Sequence, residues 1–233
     1  MKILALDTAT EVCSVALLQA DASGSRLLVR EPAPAPGHSA QILVLIQSVL
    51  AEARLALTDL DCVAFGRGPG GFTGVRLAAS VTQGLAYGAG LPVVPVSDLL
   101  AVAQQALDNA PAAHSVVVCN DARMQELYWT CATRDPAGLA VAAAAERVSA
   151  AAAVELPPAL PGPVLGAGRG FAAWPALAQR LGLAPGSVQA ELLPRAREIA
   201  RLAAPRWLAG AAVAPQLAQP VYLRDDVAKP SRK

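Results

Sequence analysis

The groups best suited to chemistry in this chain lie at strand ends and in glycine-rich loops. Asp7 ends the apolar run Lys2-Ile3-Leu4-Ala5-Leu6 and is followed by Thr8, Ala9 and Thr10. A carboxylate opening into a hydroxyl-bearing turn could serve a phosphate-binding cleft. It could equally form an Asx turn that only receives nearby backbone amides. The segment Gly66-Arg67-Gly68-Pro69-Gly70-Gly71-Phe72-Thr73-Gly74 has five glycines in nine residues, a backbone able to adopt positive φ and to approach another group closely. It fits either a phosphate cradle or a tight strand-to-helix turn, with Thr73 as a candidate N-cap. The Lys-Ser/Thr ending of a P-loop and the spacing of a dinucleotide fingerprint are both absent. Asn120-Asp121-Ala122-Arg123 ends a later strand, where Asp121 and Arg123 could meet phosphate or pair with each other. Gly166, Gly168 and Gly170 mark a second glycine turn.

What is missing narrows the chemistry. The chain has two histidines, His38 and His114, far apart in sequence, so no helix can carry the two imidazoles of a zinc-type pair. Neither has the carboxylate setting that a base for serine-type hydrolysis needs. Four cysteines, Cys13, Cys62, Cys119 and Cys131, form no Cys-x-x-Cys pair and read as buried free thiols in a reducing cytoplasm. A net charge of +1 gives no field for holding a polyanion. Arg195, Arg197, Arg201 and Arg206 read as a solvated helix face in preference to an RNA contact. No apolar run is long enough to span a bilayer, and the N-terminus enters a strand without a signal segment.

The elements that must position these groups follow a repeated pattern. The first half reads as strands over 2–7, 13–18 and 26–30, a helix over 39–54 beginning at Ser39, a strand over 62–65, a helix over 73–88 and a strand over 92–96. A helix over 97–108 starts at Ser97. The second half reads as strands over 116–120, 126–132, 139–142 and 163–165, with helices over 171–181 and 195–209. An alanine-rich stretch over 143–153 is the only room for a further helix, so the second copy is reduced. Two such mixed-sheet halves in tandem form the expected α/β architecture.

Helix 39–54 carries a broad apolar band of Ile42, Leu45, Ile46, Val49, Leu50 and Ala53. In helix 73–88, Gly74, Ala78, Thr82 and Ala86 form a ridge of small residues beside a bulkier ridge of Leu77, Val81 and Leu85. A small ridge allows close helix packing across an interface. The competing reading buries both ridges within one domain.

Together, Leu6-Asp7-Thr8-Ala9-Thr10, Gly37-His38-Ser39, the Gly68-to-Arg76 loop, Asp121-Ala122-Arg123 and Pro220-Val221-Tyr222-Leu223-Arg224 resemble the TsaB family in order and spacing over essentially the whole chain. Gly71 and Met124 depart from it, standing where Ser and a second Arg are common. The resemblance implies a two-lobed actin-like ATPase, or ribonuclease-H-like, fold of the Hsp70 type. The lobes are expected at 1–103 and 104–233, with the last helix packing back on the first. It implies a non-catalytic accessory subunit for threonylcarbamoyladenosine formation in tRNA, acting in the cytoplasm. Expected partners are TsaD, TsaE and a second copy of the chain, with tRNA held through the complex. A vestigial nucleotide cleft would comprise Asp7, Thr8, Thr10, Asp121, Arg123, Gly166 and Gly168, with ATP or ADP there or at the interface and no metal. The partner face would comprise Ile42, Leu45, Val49, Gly74, Ala78, Thr82 and Ala86. Two other readings stay open: a small-molecule kinase of the same fold, with Asp121 helping to hold Mg²⁺, and a metal-dependent glycoprotease-like peptidase.

Overall fold

A computed structural model describes residues 1–22, 24–33 and 37–224. The first sheet begins with a meander of β1 (Lys2–Asp7), β2 (Ser14–Asp21) and β3 (Gly24–Arg30). Helix α1 (His38–Ala53) leads to β4 (Cys62–Gly66), and α2 (Phe72–Ala89) leads to β5 (Val93–Val96). The strand order is β3-β2-β1-β4-β5, antiparallel within the meander and parallel from β1 to β5. From Ile3 to Asp7 every residue of β1 is buried, which explains why this central strand reads as a continuous apolar run and not an alternating one.

Helix α3 (Asp98–Asn109) connects to the second sheet of β6 (Ser115–Asp121), β7 (Glu126–Arg134), β8 (Ala140–Ala142), β9 (Arg147–Ala150), β10 (Val164–Ala167) and β11 (Val188–Gln189). The order β11-β10-β6-β7-β8, with β9 also on β7, repeats the first sheet's plan. Two short helices, α4 (Gly170–Ala173) and α5 (Ala176–Arg180), and a long one, α6 (Ala196–Leu208), complete the chain's main elements.

Several local expectations are corrected. The helix over 171–181 is broken at Trp174-Pro175, because proline lacks an N–H and disfavours helical geometry in the residue before it. The 143–153 stretch contains β9 and a 3-10 turn at Ala151–Ala153 in place of a helix. Helix α1 starts one residue early with Gly37 at its N-cap, and α2 starts at Phe72 with Gly71 at its N-cap, so neither Ser39 nor Thr73 caps. Ser97 does cap α3, its hydroxyl accepting the Leu100 N–H at 3.2 Å.

Three apolar cores hold the layers together. Helices α1 and α2 cover one face of the first sheet through Ile42, Ile46, Val49, Ala78 and Ala86. Helix α6 packs on β1, β2, β4 and β5 across the opposite face, while α3 packs on β6, β7, β8 and β10. Because α3 and α6 also touch, the two sheets share a central core of Ile3, Val94, Leu99, Val118, Ile199 and their neighbours. Helix α3, which spans residue 103, packs on the second sheet, while its first residue, Asp98, is bonded to Gly68 of the first half. The third core lies under α4 and α5, around Trp129 and Phe171.

The N-terminus of α6 is held from another element. Arg195 makes no side-chain cap, and the Ala196 N–H instead donates to Ser14 Oγ at 2.8 Å. Of the four arginines expected as a solvated face here, Arg197 is exposed, Arg195 pairs with Glu198, Arg201 pairs with Asp108, and Arg206 is half-buried.

Candidate functional site

The β1–β2 turn and the glycine loop are folded onto each other, and their polar groups are engaged inside the chain. Thr8 Oγ1 donates to the Gly74 carbonyl at 2.7 Å, and the Gly71 N–H donates to the Ala9 carbonyl at 2.7 Å. A Cβ on Gly74 would overlap the Thr8 carbonyl, and one on Gly70 would lie 2.7 Å from the Ala9 Cβ. The glycines thus permit backbone-to-backbone contact within the protein. Thr10 Oγ1 receives the Val12 N–H at 3.3 Å, closing the turn locally.

Asp7 and Asp98 meet beneath this loop, both with no solvent exposure. Asp7 Oδ1 accepts the Ala9 N–H at 3.0 Å, and Asp98 Oδ2 accepts the Gly68 N–H at 2.5 Å. Their remaining oxygens, Asp7 Oδ2 and Asp98 Oδ1, have no hydrogen-bond donor among the described residues and lie side by side, both against the position that a Cβ on Gly66 would take. Burial raises the Asp7 carboxyl above the usual range, although its bonds to Asp98 and Ala9 oppose that shift. Burial, and then the Asp7 charge, push Asp98 well above the usual range. Asp98 was not singled out from the sequence. Its only local signal is an acid following the Ser97 cap in an otherwise apolar turn.

The second half supplies its groups at the end of β6. Asp121 Oδ1 accepts the Arg123 N–H at 2.8 Å, and the two side chains pair at 3.2 Å, so they chiefly hold each other. Arg123, Met124 and Gln125 all have φ between 53° and 64°, an unusual run of left-handed residues at the hairpin tip. Arg224 supports it, donating to the Ala122 carbonyl at 3.1 Å and pairing with Glu126. Gly168, at φ 94°, and Gly170 press against the Cys119 carbonyl, and Gly166 faces Leu183 and Phe171. These contacts describe a strand-to-helix turn packed on β6.

Of the expected cleft residues, Asp7 and Thr8 are buried and internally bonded, unlike an open phosphate cradle, Asp121 and Arg123 pair with each other, and Gly166 faces the third core. Ion pairs among the described residues cross the join of the two halves: Arg67 with Glu146 at 2.9 Å, Arg169 with Glu11, and Arg195 with Glu31 at 3.9 Å. A strap from Pro220 to Arg224 crosses it too. The Val221 N–H donates to the Arg67 carbonyl at 2.7 Å, and Arg76 Nε donates to the Tyr222 hydroxyl at 2.7 Å.

The expected partner face is turned the other way. Ile42, Val49, Ala78, Thr82 and Ala86 are buried against their own sheet, and Gly74 sits on the Thr8 backbone. Small residues lie inward because α2 must approach β1 and β4 closely. Leu45 is half-buried. The outward side shows Leu43 and Val44 on α1, exposed by 54% and 63%, and Ser80, Gly84, Tyr87 and Gly88 on α2. A shallow groove of about 400 Å³ runs between the helices, lined by Leu43, Ile46, Gln47, Leu50 and Leu85 among others.

Burial pushes the Cys13 thiol up to about 11, with the Asp7 charge adding to it, and the Cys62 thiol up to about 12. Neither is a ready thiolate nucleophile. No group of three or more metal-ligating side chains occurs among the described residues. No helix there is long and apolar enough to cross a membrane.

Comparison with known proteins agrees with this architecture. A family model described as TsaD, tRNA N6-adenosine threonylcarbamoyltransferase, matches residues 33–231. The tRNA threonylcarbamoyladenosine biosynthesis protein TsaB of Escherichia coli K12 is 40% identical over 98% of this chain and 96% of its own length. The Haemophilus influenzae protein of the same name is 47% identical over 58% of this chain and 55% of its own. The solved structure of YeaZ from Pseudomonas aeruginosa superposes with a TM-score of 0.85 at 39% identity, covering 95% of this chain and 99% of that one. A second Pseudomonas aeruginosa structure, described as similar to peptidase YeaZ, gives a TM-score of 0.86 at 39% identity, covering 96% of this chain and 99% of that one. With the two-sheet fold and the full-length match, this chain belongs to the TsaB family of tRNA threonylcarbamoyladenosine biosynthesis proteins.

Proposed function

We propose that the chain serves tRNA threonylcarbamoyladenosine biosynthesis as a non-catalytic scaffold that docks a TsaD-type transferase through the outward faces of α1 and α2, with a TsaE-type protein joining the assembly. Family membership supplies the role in this modification. The geometry supports the scaffold reading through Gly84. A glycine inside a helix destabilises it by about 1 kcal/mol relative to alanine. Outside its own stretch of helix, a Cβ at Gly84 would meet nothing within 4 Å among the described residues, so no packing contact there requires the glycine. Close approach of another helix backbone, flanked by Leu43, Val44 and Tyr87, accounts for it.

The kinase reading loses support because Asp7 and Thr8, its phosphate-gripping groups, are buried and already bonded. The peptidase reading needs a base or a metal. His38 is bonded through Nε2 to the Glu11 carbonyl and His114 lies on the surface, with neither set against a nucleophile. Co-purification with TsaD tests the proposal. Gly84→Arg should retain cooperative melting while losing co-elution with TsaD on size exclusion. A folded Gly84→Arg protein that still forms the full complex would reject this face. Tight Mg·ATP binding with hydrolysis by the isolated chain would instead restore the kinase.

A further inference from the structure

We propose that Asp7 and Asp98 hold a single proton between them, and that this shared proton locks the end of β1 to the start of α3, the helix linking the two halves. The pair is wholly buried. Each carboxyl has one oxygen fixed by a backbone amide, from Ala9 and from Gly68, and turns the other toward its partner with no further donor among the described residues. Two carboxylates in contact inside a protein cannot both be ionised, because the repulsion and the desolvation act in the same direction. A proton placed between the two oxygens converts that repulsion into a charge-assisted hydrogen bond. The two free oxygens lie side by side, since a Cβ on Gly66 would overlap both Asp7 Oδ2 and Asp98 Oδ1. Asp98 also donates its own N–H to the Gly68 carbonyl at 3.1 Å, so the lock gathers β1, the glycine loop and α3 at one point.

The ionisable groups facing the pair come from several elements. Cys13, just ahead of β2, interacts with the Asp7 charge, and His38 at the start of α1 favours the ionised form of Asp7. Arg67 in the glycine loop opposes the rise of Asp98, but its guanidinium is paired with Glu146. On the α6 side, Arg195 and Glu198 face one another. None of these supplies a cation in contact with both carboxyls.

The sign of the pH effect follows from linkage. Asp98 carries its proton in the folded chain at pH values where the unfolded chain has released it. The lock is therefore at full strength below the ordinary aspartate value of about 3.9 and weakens steadily as pH rises toward the raised folded value. Within that window unfolding releases about one proton. Above it the two charges repel and the β1–α3 join loosens.

Thermal melts of the full chain from about pH 5 to about pH 9, alongside Asp98→Asn and a His38→Gln control, test this. The wild-type melting temperature should fall with rising pH. Asp98→Asn should remove about one proton from that dependence, because an amide can donate to Asp7 without titrating. His38→Gln should leave that component in place. Titration of aspartate carboxyl carbons by ¹³C NMR on the wild-type chain decides independently if Asp98→Asn fails to fold. One buried carboxyl should remain protonated well above the ordinary range. Ordinary midpoints near 4 for every aspartate, or a folded Asp98→Asn chain with an unchanged pH slope, would overturn the lock.

Discussion

Asp7 illustrates how a residue's type limits its chemistry while its neighbours choose among the possibilities. Its position after an apolar strand suits a phosphate-side carboxylate and an Asx turn equally well. The structure gives it the local turn bond to Ala9 together with a long-range partner, Asp98, on another element. Asp7→Ala should therefore leave association with the proposed TsaD-type partner nearly intact while destabilising the fold by about 1–3 kcal/mol, because Asp98 loses its partner in the interior. A urea melt read beside a co-elution assay measures both effects. Gly66→Ala should be more severe, at about 3 kcal/mol or more, since its methyl group meets both carboxyls and neither can retreat. A Gly66→Ala chain with wild-type stability would show that the two aspartates have freedom to separate.

At the scale of elements, α2 is the instructive case. Its small ridge and bulky ridge were both legible, but their directions were not. Ala78→Arg would disrupt the core: a charge forced against the sheet should destabilise the chain by more than about 3 kcal/mol and abolish cooperative melting. Gly84→Ala should act in the opposite sense on the isolated chain, raising its stability by about 0.5–1 kcal/mol because nothing obstructs the methyl group. The same change should weaken binding to TsaD if a helix packs there. Paired melts and titration calorimetry would read this trade, and a gain in stability without loss of affinity would count against close packing at Gly84. The terminal strap gives another element-scale expectation. Arg224→Ala removes the support of the Ala122–Glu126 hairpin tip and should cost about 1–2 kcal/mol, with faster hydrogen exchange at residues 122–126.

The whole molecule is organised by α6, which comes late in the chain but covers the first sheet. Residues 1–110 alone would leave the α6-facing side of Ile3, Ala5, Ala16, Ala64 and Val94 without a cover. That fragment should be insoluble or melt without cooperativity, and adding a fragment of residues 111–224 should restore a cooperative transition. Circular dichroism melts of the fragments, separate and mixed, check this directly. A cooperative transition in the first fragment by itself would show that the two sheets fold independently despite their shared core.

The succession of strands and helices in the first half, the α3 cap at Ser97, the two glycine turns and the family resemblance were all legible in the residues, because each has a local cause. Apolar runs mark buried parallel strands, a serine at a helix start supplies an acceptor, and clustered glycines mark close backbone approach. Other features have no local signature. Ser14 and Ala196 are 182 residues apart, and Asp7 and Asp98 lie on elements separated by most of the first half, so only folding could reveal either pair. The second half was less legible for a related reason. Its alanine-rich 143–153 stretch has helical propensity, but an open edge on β7 offered β9 a ladder of backbone bonds that outweighed it. The orientation of α2 was decided in the same way. Apolar residues occupy more than one of its faces, so its periodicity leaves the direction open. The tertiary structure chose the small residues for the inside because they let the helix backbone approach the sheet, leaving Gly84 to solvent.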